Sequence, residues 1–285
     1  MRMDRRCFQC LLSRVRYECS LVLPDEARVE DIVNRCRQVL EEGRTREIPA
    51  PRIATEVHRI AYRLTGSVDP YFSIKQQNNE VARMVCRTIR PTLHTFRDKV
   101  LASIIGNTMD YAVEDHSVPE DFSDFFLAEF QKGLTIDDTD AILHRAEQVV
   151  YFTDNCGEIV FDCLVIQDLA QMGASITLVV KDEPILNDAT LTEAKMLGLN
   201  HIVNTLTTTG SGDVGITLEK IPPELSLALE DATLIISKGM ANYESLNEEE
   251  GHLPPIAYLM AVKCDPIARS IGVPRGSSIA LLSRN

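Results

Sequence analysis

The chain has 285 residues, 45% of them hydrophobic, and carries 29 basic against 42 acidic side chains, a formal net charge of −13. That length supports one large domain or two smaller ones with a full core. The acidic balance argues against nucleic-acid partners and against an anionic membrane surface, because both require Lys/Arg clusters.

The basic start, MRMDRRCFQC, continues into only two apolar residues, LL, and so lacks the extended apolar region and cleavage site of a secretory leader. No apolar run approaches the roughly 18 residues of a membrane-spanning helix, and a soluble, cytoplasmic protein is expected. Eight cysteines are scattered over the chain: Cys7, Cys10, Cys19, Cys36, Cys86, Cys156, Cys163 and Cys264. At this length they do not read as a secreted disulfide scaffold. Cys7 and Cys10 form a single CxxC with no second pair and no histidine at finger-like spacing, which suits reduced thiols on a helix face. Cys264, if it joined them in space, would make a metal or redox site.

Residues 1–145 read as an all-helical domain. In ARVEDIVNRCRQVLEEG, the residues Val29, Ile32, Val33, Cys36, Val39 and Leu40 make a helical stripe, with Gly43 as the expected stop. PRIATEVHRIAYRLTG repeats the pattern, with a proline where a helix start tolerates it and Gly66 as the stop. NEVARMVCRTIRPTL, DKVLASIIGNTMDYAV and SDFFLAEFQKG continue it. From residue 146 the pattern changes, and residues 146–285 read as a second domain. The apolar runs QVVYFT, SITLVV, HIVNTL, TLIIS and IAYLMAV alternate with the helical runs EIVFDCLVIQDLAQMG, DATLTEAKMLG, PPELSLALEDA and NYESLNEEEG. That alternation predicts βαβ units and a Rossmann-like, three-layer α/β domain with a mostly parallel sheet.

In open parallel sheets, ligands sit beyond the carboxyl ends of the strands. The five expected ends carry Asp154 and Asn155; Lys181, Asp182, Asn187 and Asp188; the loop TTTGSGDVG with Asp213; Lys238 and Gly239; and Lys263 and Cys264. Asp154, Asn155 and Asp188 offer hard oxygen donors suited to Mg²⁺, Mn²⁺ or Ca²⁺. The start of the helix after Asn155 favours an anion such as phosphate, and Lys238 can neutralise a phosphate oxygen. Such a kit suffices for phosphoryl chemistry, which depends mainly on positioning and electrostatics. Each residue also has a plainer reading. Asp154, Asn155 and Asp188 are all acceptable helix caps, Glu158 fits a first-turn dipole partner, and Asp162 fits a paired or solvated helix residue. The GSGDVG loop is a poor match to a dinucleotide fingerprint, and no P-loop, nucleophile elbow or HExxH is present.

Taken together, TDNCGEIVFD, ILNDAT, DATLIISKGMANYESL and GNTMD (Gly106 to Asp110) resemble the motifs of the DUF89 family, the ARMT1-like damage-control phosphatases. The Cys7–Cys10 pair and the late Lys263–Cys264 are similar to its microbial stand-alone subfamily. The resemblance implies a metal-dependent phosphatase, a phosphomonoesterase acting on small phosphorylated metabolites such as sugar phosphates or damaged cofactor intermediates. It implies a divalent metal ion (Mg²⁺, Mn²⁺, Co²⁺ or Ni²⁺) on Asp154, Asn155 and Asp188, which are then also the catalytic residues, and substrate contact from Asn107 and Lys238, with Glu158 close behind. Asp154, Asp182 and Asp213 are all open as the general base. Two other readings stand beside this one: a non-catalytic metal- or metabolite-binding protein, and an S-adenosylmethionine-dependent carboxyl methyltransferase. The latter ranks lower because no glycine-rich loop follows the first strand. The oligomeric state is left open by the sequence.

Overall fold

The structure is a computed structural model that describes residues 5–45, 48–109 and 122–283. Three helices, α1 (Arg5–Ser20), α2 (Glu26–Thr45) and α3 (Ala50–Thr65), form the first unit. Their apolar stripes meet in one cluster, in which Leu12, Val15 and Cys19 face Ile32, Val33, Cys36, Val57 and Ala61. Gly66 ends α3 as expected, its left-handed conformation letting the N–H reach the Tyr62 carbonyl at 3.0 Å. Gly43 does not end α2, which runs on to Thr45. A Cβ at Gly43 would lie 3.2 Å from Ile53, so this glycine serves helix–helix approach instead of termination.

Within this bundle His58 Nδ1 lies 2.9 Å from the Glu18 carboxylate, and both side chains are fully buried. Burial pushes the Glu18 carboxyl above its usual range, and His58 offsets only part of that effect. A carboxyl raised in the folded state stabilises below its unfolded pKa, and that contribution fades as pH rises through the folded value. Glu18→Gln removes the dependence. Urea denaturation should therefore show the variant gaining on the parent as pH climbs from about 5 to 8, by at most about 1.4 kcal/mol per pH unit. A constant difference across that range would contradict the assignment.

Next come α4 (Phe72–Ile89), α5 (Phe96–Gly106) and α6 (Phe122–Lys132), followed by β1 (Ile136–Asp137) and α7 (Thr139–Leu143). The remaining strands are β2 (Gln148–Phe152), β3 (Ser175–Val180), β4 (Thr205–Thr208), β5 (Leu234–Lys238), β6 (Ile256–Ala261) and β7 (Ser278–Leu282). The helices between and after them are α8 (Glu158–Gln171), α9 (Leu191–Met196), α10 (Pro223–Asp231), α11 (Met240–Leu246) and α12 (Asp265–Ile271). The seven strands make one sheet in the order β1-β7-β6-β5-β2-β3-β4. Strands β2 to β6 are mutually parallel, while β7 runs antiparallel to β6 and pairs in parallel with β1. β4 begins later than the apolar run HIVNTL suggests, because Leu199–His201 turn as a short 3-10 segment.

Alternation along the strands divides the core. Val149 and Tyr151 face α5, α7 and α8, whereas Val150 and Phe152 face α10, α11 and α12. The expected three-layer α/β arrangement is therefore present, and α5 of the preceding helical stretch forms part of one outer layer. A further cluster joins α4, α5, α6 and α8, with Phe126 stacked on Phe161 at 5.7 Å. No helix among the described residues is long and apolar enough to cross a membrane.

Candidate active site

Strand order locates the crevice. From β2 the chain winds outward through β3 to β4, then returns to place β5 on the other side of β2. The reversal opens a gap at the carboxyl ends of β2 and β5, the position where doubly wound sheets take ligands. Phe152 pairs with Ser237, so Asp154 and Gly239 emerge side by side from that gap.

Gly239 is required there for two reasons. Its φ of 79° and ψ of 165° lie in a region essentially closed to other residues. A Cβ would also fall 1.9 Å from Asp154 Oδ2 and 2.9 Å from Oδ1. Gly239→Ala must therefore displace the Asp154 carboxylate. A displacement of the order of 1 Å in a reacting group can cost about 100-fold, and the backbone strain adds about 1–3 kcal/mol. We expect a loss of activity near that factor with a modest fall in Tm; parent-like turnover would show that the carboxylate position does not matter.

The second loop comes from β3. Asn155 and Asp188 pair as an isolated antiparallel bridge, and Ala189 N–H donates to the Asp154 carbonyl at 2.8 Å. Asp188 is thereby brought beside the Asp154–Asn155 pair. Asn187 donates to the Cys156 carbonyl at 3.1 Å and accepts from Asn78 at 3.3 Å, while Gly157 N–H donates to Asn79 at 2.6 Å. Helix α4 thus clamps the turn that carries the site. The capping readings of the acidic residues do not apply. Helix α8 has Gly157 as N-cap, without a side-chain cap, and α9 is capped by Thr190 in a reciprocal box with Glu193. Asp154, Asn155 and Asp188 are left for another role. Thr190→Val, which deletes that hydroxyl cap, should cost about 1 kcal/mol by urea denaturation; no measurable loss would mean the box carries no stability.

Asn107 arrives from the end of α5. Gly106 permits this: a Cβ there would lie 2.7 Å from Phe161 and 3.4 Å from the Glu158 Cα, so only glycine lets α5 approach the start of α8 so closely. The Asn107 amide donates to Asp154 Oδ2 at 3.0 Å and to Glu158 Oε2 at 2.5 Å. The Asn155 amide donates to the same Asp154 oxygen at 2.7 Å. Asp110, the last residue of GNTMD, lies outside the described residues.

Beneath this layer is a buried ionic network. Lys238 is fully buried, with its ammonium 2.6 Å from Glu158 and 2.8 Å from Asp162. It also donates to the Ser103 hydroxyl, which in turn donates to Asp162 at 2.6 Å. Burial opposes the charge on Lys238, but Asp162 and Glu158 outweigh it and raise the ammonium's pKa. Glu158 is pushed up by burial, eased by Lys238, and pushed up again by Asp162 and Asp154. The expected phosphate contact from Lys238 is thus placed below the surface, its described contacts being internal ones. Asp162, read from sequence as a paired or solvated helix residue, is the paired kind and a full member of the network. Ser103 was not legible as one. Its only signal is position: a hydroxyl in the apolar run VLASIIGN, one turn before Asn107 on the same face.

On the other flank Lys181 is nearly buried, 3.6 Å from Asp188, and donates to the Gly215 carbonyl. Lys263 donates to the Asn107 carbonyl. The two alternative bases lie elsewhere in character. Asp182 is exposed and accepts from Thr208 at 3.0 Å. Asp213 is bound by Lys220 at 2.8 Å and Thr217 at 2.7 Å, which hold its pKa low despite burial. Neither makes a described contact with Asp154.

The donor set fits a hard divalent cation. Four carboxylates, Asp154, Glu158, Asp162 and Asp188, gather around two buried ammonium groups, Lys238 and Lys181. Among the described residues no three His, Cys, Asp or Glu side chains form a ready metal cage. The candidate set is two carboxylates and an amide oxygen, which leaves positions for water or substrate oxygens, as Mg²⁺-like ions prefer.

Comparison with known proteins identifies the family. Residues 3–279 match the model of the damage-control phosphatase ARMT1-like domain. The chain belongs to that family. It is 40% identical to a protein of Archaeoglobus fulgidus named damage-control phosphatase, over 98% of this chain and 99% of the relative. It is 29% identical to a damage-control phosphatase of Pyrococcus horikoshii, over 100% and 99% of the two chains. The crystal structure of a DUF89 family protein from Pyrococcus horikoshii superposes with a TM-score of 0.90 at 26% identity, covering 100% of both chains. The resemblance drawn from the DN, ND, KG and GN motifs is therefore a true family relation, and the α/β fold is shared.

Proposed function

We propose that the protein is a metal-dependent phosphatase that hydrolyses small phosphorylated metabolites. The observation that carries this reading is the convergence of Asp154, Asn155 and Asp188 at the switch point of the sheet. Family membership supports it, since two relatives along the whole chain are named damage-control phosphatases.

On this reading Asp154, Asn155 and Asp188 hold a divalent ion of the Mg²⁺, Mn²⁺, Co²⁺ or Ni²⁺ type. The bound ion would polarise the phosphoryl group and orient the attacking water. The chain's own residues do the rest. Asn107 fixes Asp154 and Glu158 through its two donated hydrogen bonds. Lys238 keeps Glu158 and Asp162 in place, and Glu158 in turn holds the Asn107 amide. Of the three carboxylates open as the base, Asp154 is the one at the carboxyl ends of β2 and β5, while Asp182 and Asp213 bind Thr208 and Lys220.

The test is phosphate release from a panel of sugar and nucleotide phosphates by chelated protein, before and after each metal is restored. Metal-restored turnover is expected. A folded protein that releases no phosphate from any member of the panel with any of these metals would overturn the reading.

A further inference from the structure

Helix α3 sits where the helical bundle meets the strand-end loops. Thr55, Arg59 and Tyr62 recur at spacings of four and three and so share one face of it. Each reaches a loop of the sheet. The Thr55 hydroxyl accepts from the Val214 N–H at 2.8 Å, Arg59 donates to the Gly212 carbonyl at 2.8 Å, and the Tyr62 hydroxyl accepts from the Leu186 N–H at 2.8 Å. The last of these leads to the site, because Leu186 stands two residues before Asp188.

Leu186 is the one non-glycine residue with a left-handed φ, 48°, among the described residues. The Asp188 N–H donates to the Ile185 carbonyl at 3.1 Å, which closes residues 185–188 into a turn with Leu186 at its first central position. A positive φ there belongs to Gly, Asn or Asp, which lack a Cβ or carry a short polar side chain. Leucine has no such allowance and keeps it only where its surroundings dictate it. Two features do so. Its side chain is 6% exposed and belongs, with Ile185, to the apolar cluster that also holds Val57, Ala61 and Tyr62. Its N–H is buried and has the Tyr62 hydroxyl as acceptor. The turn thus leaves the helical bundle at Leu186 and enters the site at Asp188, which bridges to Asn155.

We infer that Tyr62 is a positioning residue for Asp188. Its hydroxyl holds Leu186 in the left-handed conformation, and that conformation sets the turn that presents Asp188 to the Asp154–Asn155 pair. The consequence for metal affinity rests on the phosphatase reading; the placement of Asp188 does not. Tyr62→Phe removes the acceptor and keeps the ring. A buried N–H without a partner is costly, so the turn rearranges to find one.

The experiment compares the parent, Tyr62→Phe, Leu186→Gly and the double variant by metal-free crystal structures, Mn²⁺ titration calorimetry and Tm. In Tyr62→Phe, Leu186 should leave the left-handed region and the Asp188 carboxylate should move away from Asn155. Mn²⁺ affinity should fall about 10- to 100-fold, the usual cost of losing a group that orients a metal ligand. Glycine takes a positive φ without strain. Leu186→Gly in the Tyr62→Phe background should therefore restore most of the affinity, even as the lost apolar contact lowers Tm further. A merely structural role would move affinity and Tm together. An Asp188 carboxylate that stays in place in Tyr62→Phe overturns the inference, as does a Mn²⁺ affinity that follows Tm through the four proteins. If the parent binds no Mn²⁺, the metal reading fails, while the position of Asp188 in the Tyr62→Phe structure still decides this one.

Discussion

Replacing Asp154 by alanine is expected to abolish metal-restored phosphate release while leaving the chain folded. The carboxylate stands where the β2 and β5 ends diverge, and three features converge on it: the Asn107 amide at 3.0 Å, the Asn155 amide at 2.7 Å and the glycine slot at Gly239. If it holds the ion, its loss removes both charge stabilisation and orientation, together worth several kcal/mol. At 1.36 kcal/mol per tenfold, a fall of about a thousandfold or more follows. The structural penalty is smaller. Two amides lose an acceptor, a cost of about 1–3 kcal/mol. Asp188→Ala should behave alike, since Lys181 can turn wholly to the Gly215 carbonyl. A second readout separates metal loss from catalytic loss: a metal that binds the native state raises Tm in proportion to its saturation, and both variants should lose that rise. Retention of more than a tenth of parental activity in Asp154→Ala, at saturating metal, would remove Asp154 from the site.

Much of this site could be read from sequence because its residues follow strands in a fixed rhythm. Each apolar run ends on the polar residues that the parallel-sheet rule assigns to the ligand side, and Asp154, Asn155, Asp188 and Lys238 all do so. Their depth was not legible. Whether Lys238 faces a substrate or an internal carboxylate depends on Asp162, a full turn into α8, and on Ser103 of α5, and no local pattern joins residues so far apart in the chain. The helix caps were ambiguous for a similar reason. Asp154, Asn155 and Thr190 are all acceptable cap residues, and only the start of α8 at Glu158 and the Thr190–Glu193 box decide among them. Strand β7 was missed because its antiparallel return depends on pairing with β6, a property of the partner strand and not of the segment SIALL. The early stop expected at Gly43 failed because glycine serves close packing as readily as termination.

Lys238→Met should be strongly destabilising, by about 3–5 kcal/mol, because it leaves Glu158 and Asp162 fully buried and without their cation. Methionine matches the lysine stem in length and leaves no large cavity, so the effect reports charge and not packing. The cause is separable by a double-mutant cycle. Asp162→Asn alone should destabilise, since it weakens the grip on Lys238 and on the Ser103 hydroxyl. In the Lys238→Met background the same substitution removes one uncompensated charge and should restore part of the lost stability. The two changes must then be strongly non-additive, as residues in one ionic network are. Urea denaturation of the four proteins gives the coupling directly. Additive losses would mean that Lys238 is not the counter-ion of Asp162. A coupling well above 1 kcal/mol would identify the lysine as the residue that makes it possible to bury two carboxylates at the start of α8.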